Sequence, residues 1–198
     1  MTCDIILAGV GGQGVLSLAT IIAAAAKHAG LHVRQSEVHG MAQRGGSVLA
    51  HLRMSDHTIY SDLIPKGRAD LILGMEALES LRYLDFLKPD GALVSAREAI
   101  NNITNYPDLT AVHQALQASF SGAKAAKLRL LETAALAKQA GHSKSANLVL
   151  VGAASSFLPI AESHYTASIA DIFGRKGEAM VTLNRLAFDL GKQAGSLA

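Results

Sequence analysis

Asp4-Ile5-Ile6-Leu7-Ala8-Gly9-Val10-Gly11-Gly12-Gln13-Gly14 is the stretch on which the fold turns. An apolar run closes on a glycine turn, and the turn opens into a long apolar segment that Gly30 stops. Residues 3–8 therefore read as a buried strand, and Gln13 to roughly Ala29 as a helix. Gly9, Gly11 and Gly14 satisfy G-x-G-x-x-G in the strand–turn–helix setting that gives the pattern its meaning. Glycines allow the tight turn and the close approach of a phosphate, which the free N–H groups of the helix start then face. The same glycines also suit a tight turn that binds nothing.

Leu31 to Glu37 reads as a second strand, making a βαβ unit whose crossover should be right-handed. Glu37 stands where a ribose-binding acid is expected. Immediately beyond it a second glycine turn begins, in Ser36-Glu37-Val38-His39-Gly40-Met41-Ala42-Gln43-Arg44-Gly45-Gly46-Ser47. That segment places a carboxylate, an imidazole, an amide and a guanidinium at the carboxyl ends of strands, where ligands of open α/β sheets gather. Arg44 is suited to gripping a phosphate or carboxylate through two N–H bonds, or to a salt bridge with Glu37. The Gln13 amide can bond a carbonyl, a phosphate or a neighbouring subunit's backbone. The candidate binding set is thus Gly9, Gly11, Gly12, Gln13, Gly14, Glu37, His39, Gln43, Arg44, Gly45, Gly46 and Ser47, with no catalytic or metal-ligating residue assigned. Asp70, Glu76 and Glu79 read as solvated faces and helix-start charges.

Further along, Ser47 to Arg53 alternates, and the turn Ser55-Asp56-His57-Thr58 leads to Ile59-Tyr60, which predicts a hairpin. Ala69 to Leu73 reads as a buried strand ending at Gly74, Met75 to Leu87 as a helix, and Lys88-Pro89-Asp90-Gly91 as a turn into Ala92-Leu93-Val94. Residues 97–123 are irregular. Helices are expected over Ala134 to Gln139, Ala146 to Phe157 and Lys176 to Lys192, and the small residues from Gly152 to Ser156 suit close helix packing or a subunit contact. The expectation is one α/β domain over residues 1–198: a mostly parallel, mixed sheet flanked by helices, with a Rossmann-like start and a helical C-terminal part.

Composition narrows the function. The 198 residues are 49% hydrophobic and 17% charged with net charge +2, and the mean hydropathy is +0.25. Such a chain has two well-covered sheet faces or surface reserved for partners. The small net charge argues against nucleic acid or an anionic membrane as partner. No apolar run reaches the roughly 18 residues of a spanning helix, and no signal peptide is recognised, so the expected location is cytoplasmic. Cys3 is the only cysteine. A four-iron cluster takes four thiolates, so this chain cannot hold one by itself.

The two glycine loops, with Leu148-Val149-Leu150-Val151-Gly152 and Leu183-Asn184-Arg185-Leu186-Ala187-Phe188-Asp189-Leu190-Gly191, resemble the small, gamma-type subunit of the 2-oxoacid:ferredoxin oxidoreductases. Among its members the wording His39-Gly40-Met41-Ala42-Gln43 is most similar to the beta subunit acting on indolepyruvate. The resemblance implies oxidative decarboxylation of a 2-oxoacid with coenzyme A and ferredoxin. Thiamine diphosphate, magnesium and 4Fe-4S clusters are then expected on the larger partner subunits, with no cofactor held tightly by this chain alone. It implies a non-redox accessory subunit, inactive alone and reaching ferredoxin through the complex, which completes the active-site cleft and contacts coenzyme A. Two alternatives stay open on the residues: a stand-alone nucleotide- or dinucleotide-binding module, and a structural or dimerisation subunit whose loops touch only protein.

Overall fold

A computed structural model of the chain describes residues 1–39, 45–101 and 104–197. Its first strand, β1 (Thr2–Val10), is buried from Cys3 onward on both faces, as an uninterrupted apolar run requires. Helix α1 (Val15–His28) follows the glycine turn. It ends where Gly30 takes a φ of 75°, with the Gly30 N–H on Lys27 O at 2.9 Å, a left-handed stop that only glycine adopts without strain. Next come β2 (His32–His39), β3 (Ser47–Ser55) and β4 (Ala69–Gly74), then the short α2 (Ala77–Arg82) and β5 (Leu87–Ala96). The remainder is α3 (Leu109–Ser119), β6 (Leu128–Leu131), α4 (Thr133–Gln139), α5 (Ala146–Ala154), α6 (Glu162–Phe173) and α7 (Glu178–Leu197).

The strands form one six-stranded sheet in the order β2-β3-β1-β4-β5-β6. β3 runs antiparallel to both β1 and β2, while β4, β5 and β6 run parallel to β1. The sheet is therefore mixed and mostly parallel, as expected, but the βαβ unit is split. β3 lies between β1 and β2, with Leu7 and Glu37 both opposite Ala50. The expected hairpin of Ser47–Arg53 with Ile59–Tyr60 does not form. β3 pairs backward with β2, and residues 59–60 belong to no strand. Alternation shows that a segment is a strand without naming its partner.

Alternate residues feed two cores. Ile5, Leu7, Leu71, Leu73, Ala92 and Val94 pack with α1 and with α4 to α7 on one face. Ile6, Ile72 and Leu93 pack with α2 and α3 on the other. Helices α5 and α7 meet backbone to backbone. A Cβ added at Gly152 would lie 2.0 Å from Phe188 O, and one at Gly191 1.9 Å from Val149 O. The small residues after Leu150 thus serve helix packing inside the chain. The lone cysteine is buried as well; burial first, and Asp70 next, push the Cys3 thiol from 9.0 up to about 12.

Two outcomes follow. Gly152→Ala should lower the unfolding free energy by about 3 kcal/mol, since overpacking forces the helices apart. Gly174→Ala, at an open position with nothing within 4 Å of the added carbon, should leave it nearly unchanged in the same urea titration. Cys3 should react with iodoacetamide at pH 8 far more slowly in the folded protein than after denaturation, as read by mass spectrometry. Because the folded thiol stays neutral, its contribution to stability is present below about pH 9 and is lost as the pH rises towards 12.

Candidate site at the carboxyl edge of the sheet

β1 hands its chain to α1 on one face of the sheet, and β4 hands its chain to α2 on the other. The two strands are neighbours, so their carboxyl ends form the switch point at which open α/β sheets bind ligands. Gln13 lies across this crevice. Its Oε1 accepts the Val10 N–H at 2.7 Å, and its Nε2 donates to Met75 O at 2.9 Å. The amide joins the turn after β1 to the turn after β4, so its bonds go to carbonyl and N–H groups of this chain.

The two glycine loops are bonded to one another. Gly11 N–H donates to Gly46 O at 2.7 Å, and Gly45 N–H donates to Gly11 O at 3.1 Å. They form a single wall. In the first loop Gly12 and Gly14 have φ of 99° and 90°, the left-handed conformation that favours glycine. Among the described residues the N–H groups of Gly12, Gly14, Val15 and Leu16 donate to no protein acceptor. All four lie at the positive end of a 14-residue helix.

Gly12 and Gly14 border a cleft of about 470 Å³ lined also by Ser17, Met75, Thr133, Lys144 and Asn147, while Val15 and Leu16 line a smaller one beside Val48. Asn147 Nδ2 donates to Gly14 O at 3.2 Å, tying α5 to the loop. Among the described residues Lys144 has no ion-pair partner. Glu98, on the far wall, accepts from Thr133 Oγ1 at 3.1 Å and Ala134 N at 2.6 Å. It separates this cleft from a larger one of about 820 Å³ lined by Arg97, Tyr106, His113 and Glu132. There His113 Nε2 donates to Arg97 O at 2.9 Å, and Arg97 pairs with Glu132 at 3.3 Å.

The remaining candidates are more scattered. Gly9 lies within β1 opposite Val48, where an added Cβ would meet Val15 Cγ2 at 2.8 Å. Glu37 is exposed on the outermost strand, separated from β1 by β3, which puts its strand about 10 Å from β1, twice the spacing of the neighbouring strand on which a ribose acid stands. His39 closes β2 opposite Val48. Gln43 and Arg44, with Gly40, Met41 and Ala42, lie outside the described residues. Ser47 turns inward, its Oγ donating to Glu79 Oε2 and lying 2.8 Å from the Tyr83 hydroxyl.

Glu76 and Glu79, expected on solvated surface, are 1% and 3% exposed. Glu76 caps α2, its Oε2 accepting the Glu79 N–H at 2.8 Å, so the helix-start part of that expectation stands while the solvation does not. Its Oε1 accepts the Tyr106 hydroxyl, and Ile100 N–H at 3.4 Å. Burial, and then Glu76, raise the Tyr106 phenol above the ordinary tyrosine range. A signal was available in the sequence: Glu76-Ala77-Leu78-Glu79 right after the strand end at Gly74 spaces two carboxylates as N-cap and third helical residue. Among the described residues no group of three or more His, Cys, Asp or Glu is placed to hold a metal ion, and no helix is long and apolar enough to cross a membrane.

Residues 4–194 match the family model described as pyruvate ferredoxin/flavodoxin oxidoreductase. The chain is 36% identical over 199 residues to the indolepyruvate oxidoreductase subunit IorB of Pyrococcus horikoshii, covering 96% of this chain and 95% of that one. It superposes with TM-score 0.71 and 25% identity on the keto/oxoacid ferredoxin oxidoreductase gamma subunit of Geobacter sulfurreducens, over 99% of both chains. It also matches, with TM-score 0.73 and 25% identity, the 2-oxoglutarate:ferredoxin oxidoreductase of Magnetococcus marinus, solved with 2-oxoglutarate, coenzyme A and succinyl-CoA bound. All of this chain is covered there, but only 31% of that longer one.

Gln13→Ala should lower the unfolding free energy by about 2 kcal/mol, because it strands a buried N–H and a carbonyl. Gln13→Glu should cost more, since a carboxylate accepts from Val10 but faces Met75 O without a proton to donate. Unchanged urea midpoints would show that the amide does not hold the crevice.

Proposed function

The chain belongs to the pyruvate ferredoxin/flavodoxin oxidoreductase family, and from that premise we propose that it completes the active-site cleft of the assembled enzyme and receives the phosphates of coenzyme A on its glycine-loop edge. It is the small subunit of a 2-oxoacid:ferredoxin oxidoreductase. The observation that carries the proposal is the set of N–H groups on Gly12, Gly14, Val15 and Leu16 that donate to no acceptor among the described residues, the first two lining one cleft with Lys144. Phosphate oxygens accept from such groups, and the helix dipole favours their charge. The Magnetococcus marinus relative supports the choice of ligand, having been solved with coenzyme A bound.

In this reading the thiamine diphosphate supplies the carbanion chemistry and the iron–sulfur clusters carry the electrons, both on partner subunits. The donor set of this chain does not fit a cluster, since it has one thiol and that thiol is buried. Its own contribution is binding and orientation. Gly12 and Gly14 hold the phosphates at one end of the cosubstrate, Lys144 neutralises their charge, and Asn147 keeps the loop against α5. Arg44, one residue before Gly45 in the sequence, is the second candidate cation, its guanidinium being suited to a phosphate.

Lys144→Ala and Arg44→Ala should each raise the apparent KM for coenzyme A in the reconstituted complex by roughly tenfold, the value of one charge-assisted hydrogen bond. The KM for the 2-oxoacid should hardly change. Coenzyme A dependence unaltered in both variants would overturn the assignment, and loss of assembly would favour a role in subunit contact.

A further inference from the structure

We propose that Glu79 is a positioning residue: from the buried side of α2 it sets where the two glycine loops stand, and so where the free N–H groups of Gly12 and Gly14 point. The functional half of this inference rests on the coenzyme A reading above. Helix α2 is a fixed base. Ser80 Oγ donates to Glu76 O at 2.8 Å and lies 2.7 Å from Ser95 Oγ on β5, while a Cβ at Gly74 would collide with it at 1.7 Å. From that base Glu79 Oε2 accepts the Ser47 hydroxyl. The single hydroxyl proton of Ser47 is thereby used, so its contact with Tyr83 at 2.8 Å has the phenol donating to Ser47 Oγ. Arg82, 3.4 Å from Glu79 Oε1, supplies the counter-charge.

Ser47 is one residue beyond Gly46, whose carbonyl takes the Gly11 N–H, and Gly11 precedes Gly12. Two hydrogen bonds and two peptide links therefore connect a buried carboxylate to the phosphate-facing backbone. Glu76 makes the matching attachment for the other wall, holding Tyr106 and Ile100 of the segment after β5. One six-residue helix thus anchors both sides of the two clefts. Ser47 belongs to this clamp and spends its hydroxyl inside the protein, in contrast to a ligand contact.

The test uses the full complex carrying Ser47→Ala, Tyr83→Phe, Glu79→Gln or Ser47→Thr, read by peptide-resolved amide hydrogen exchange and by steady-state kinetics. Ser47→Ala should speed exchange about tenfold in peptides spanning 9–17 and 45–50, raise the coenzyme A KM three- to tenfold and leave kcat within twofold. Tyr83→Phe, which keeps its ring packed on Phe86 at 6.2 Å between centroids, should do the same more weakly, and Glu79→Gln should fall between them. Ser47→Thr should restore wild-type behaviour. Exchange in peptide 9–17 unchanged in Ser47→Ala, or in Tyr83→Phe should the former not assemble, overturns the clamp. Faster exchange with an unchanged coenzyme A KM upholds the clamp and removes the coenzyme A reading instead.

Discussion

The Gln13 side chain governs the working edge of this molecule. Two adjacent parallel strands send their helices to opposite faces, which leaves a crevice between their ends. Filling it with an amide satisfies Val10 N–H and Met75 O together. The consequence is displacement. The innermost position of the crevice, where a dinucleotide fold seats its pyrophosphate, is taken by protein, and the donors left free among the described residues are those of Gly12, Gly14, Val15 and Leu16. The fingerprint spacing is the same in both cases; the residue inside it decides what the spacing does.

Insertion of β3 has a comparable effect on Glu37. In a plain βαβ unit the acid at the end of the second strand stands next to the glycine turn. Here β3 intervenes, and the acid moves to the sheet margin. The reading of Leu31 to Glu37 as a strand and of Gln13 to roughly Ala29 as a helix matches β2 (His32–His39) and α1 (Val15–His28) to within two residues at each end, because each carries its own period. Strand order is different in kind. It depends on which strand captures β1, and Val48, Ala50 and Leu52 alternate equally well for a partner on either side. The three elements the sequence hid, α3, β6 and α6, are those that bury few residues, β6 burying Leu131 and leaving its other three half-buried. α3 buries only Val112 and Leu116, and α6 only Tyr165, Ser168 and Ile169.

The hidden part of the candidate site has a related cause. Glutamates are rarely buried, so Glu76 and Glu79 read naturally as surface. What buries them is donors far away in sequence: Ser47 lies 32 residues from Glu79, and Tyr106 lies 30 from Glu76. No local pattern encodes such partners. The glycine loops were legible because turn chemistry is local, whereas the means of holding them still was not. The apolar composition is likewise answered inside the fold, by sheet strands covered on both faces and by α5, buried from Leu148 to Ala154.

In the proposed role this subunit acts on the rate through where it places a substrate. Binding energy gained at the phosphates, far from a reacting thiol, is useful only if the phosphate site is in fixed relation to the rest of the cleft; a loop that moves with its ligand converts that energy into its own ordering. Isolated glycine turns are poor holders, since glycine loses more conformational freedom on ordering than any other residue. Here that cost is met during folding: the turns are bonded to each other, to β4 through Gln13 and to α2 through Ser47. The glycines supply close approach, and the buried amide and carboxylate supply the rigidity that glycines lack.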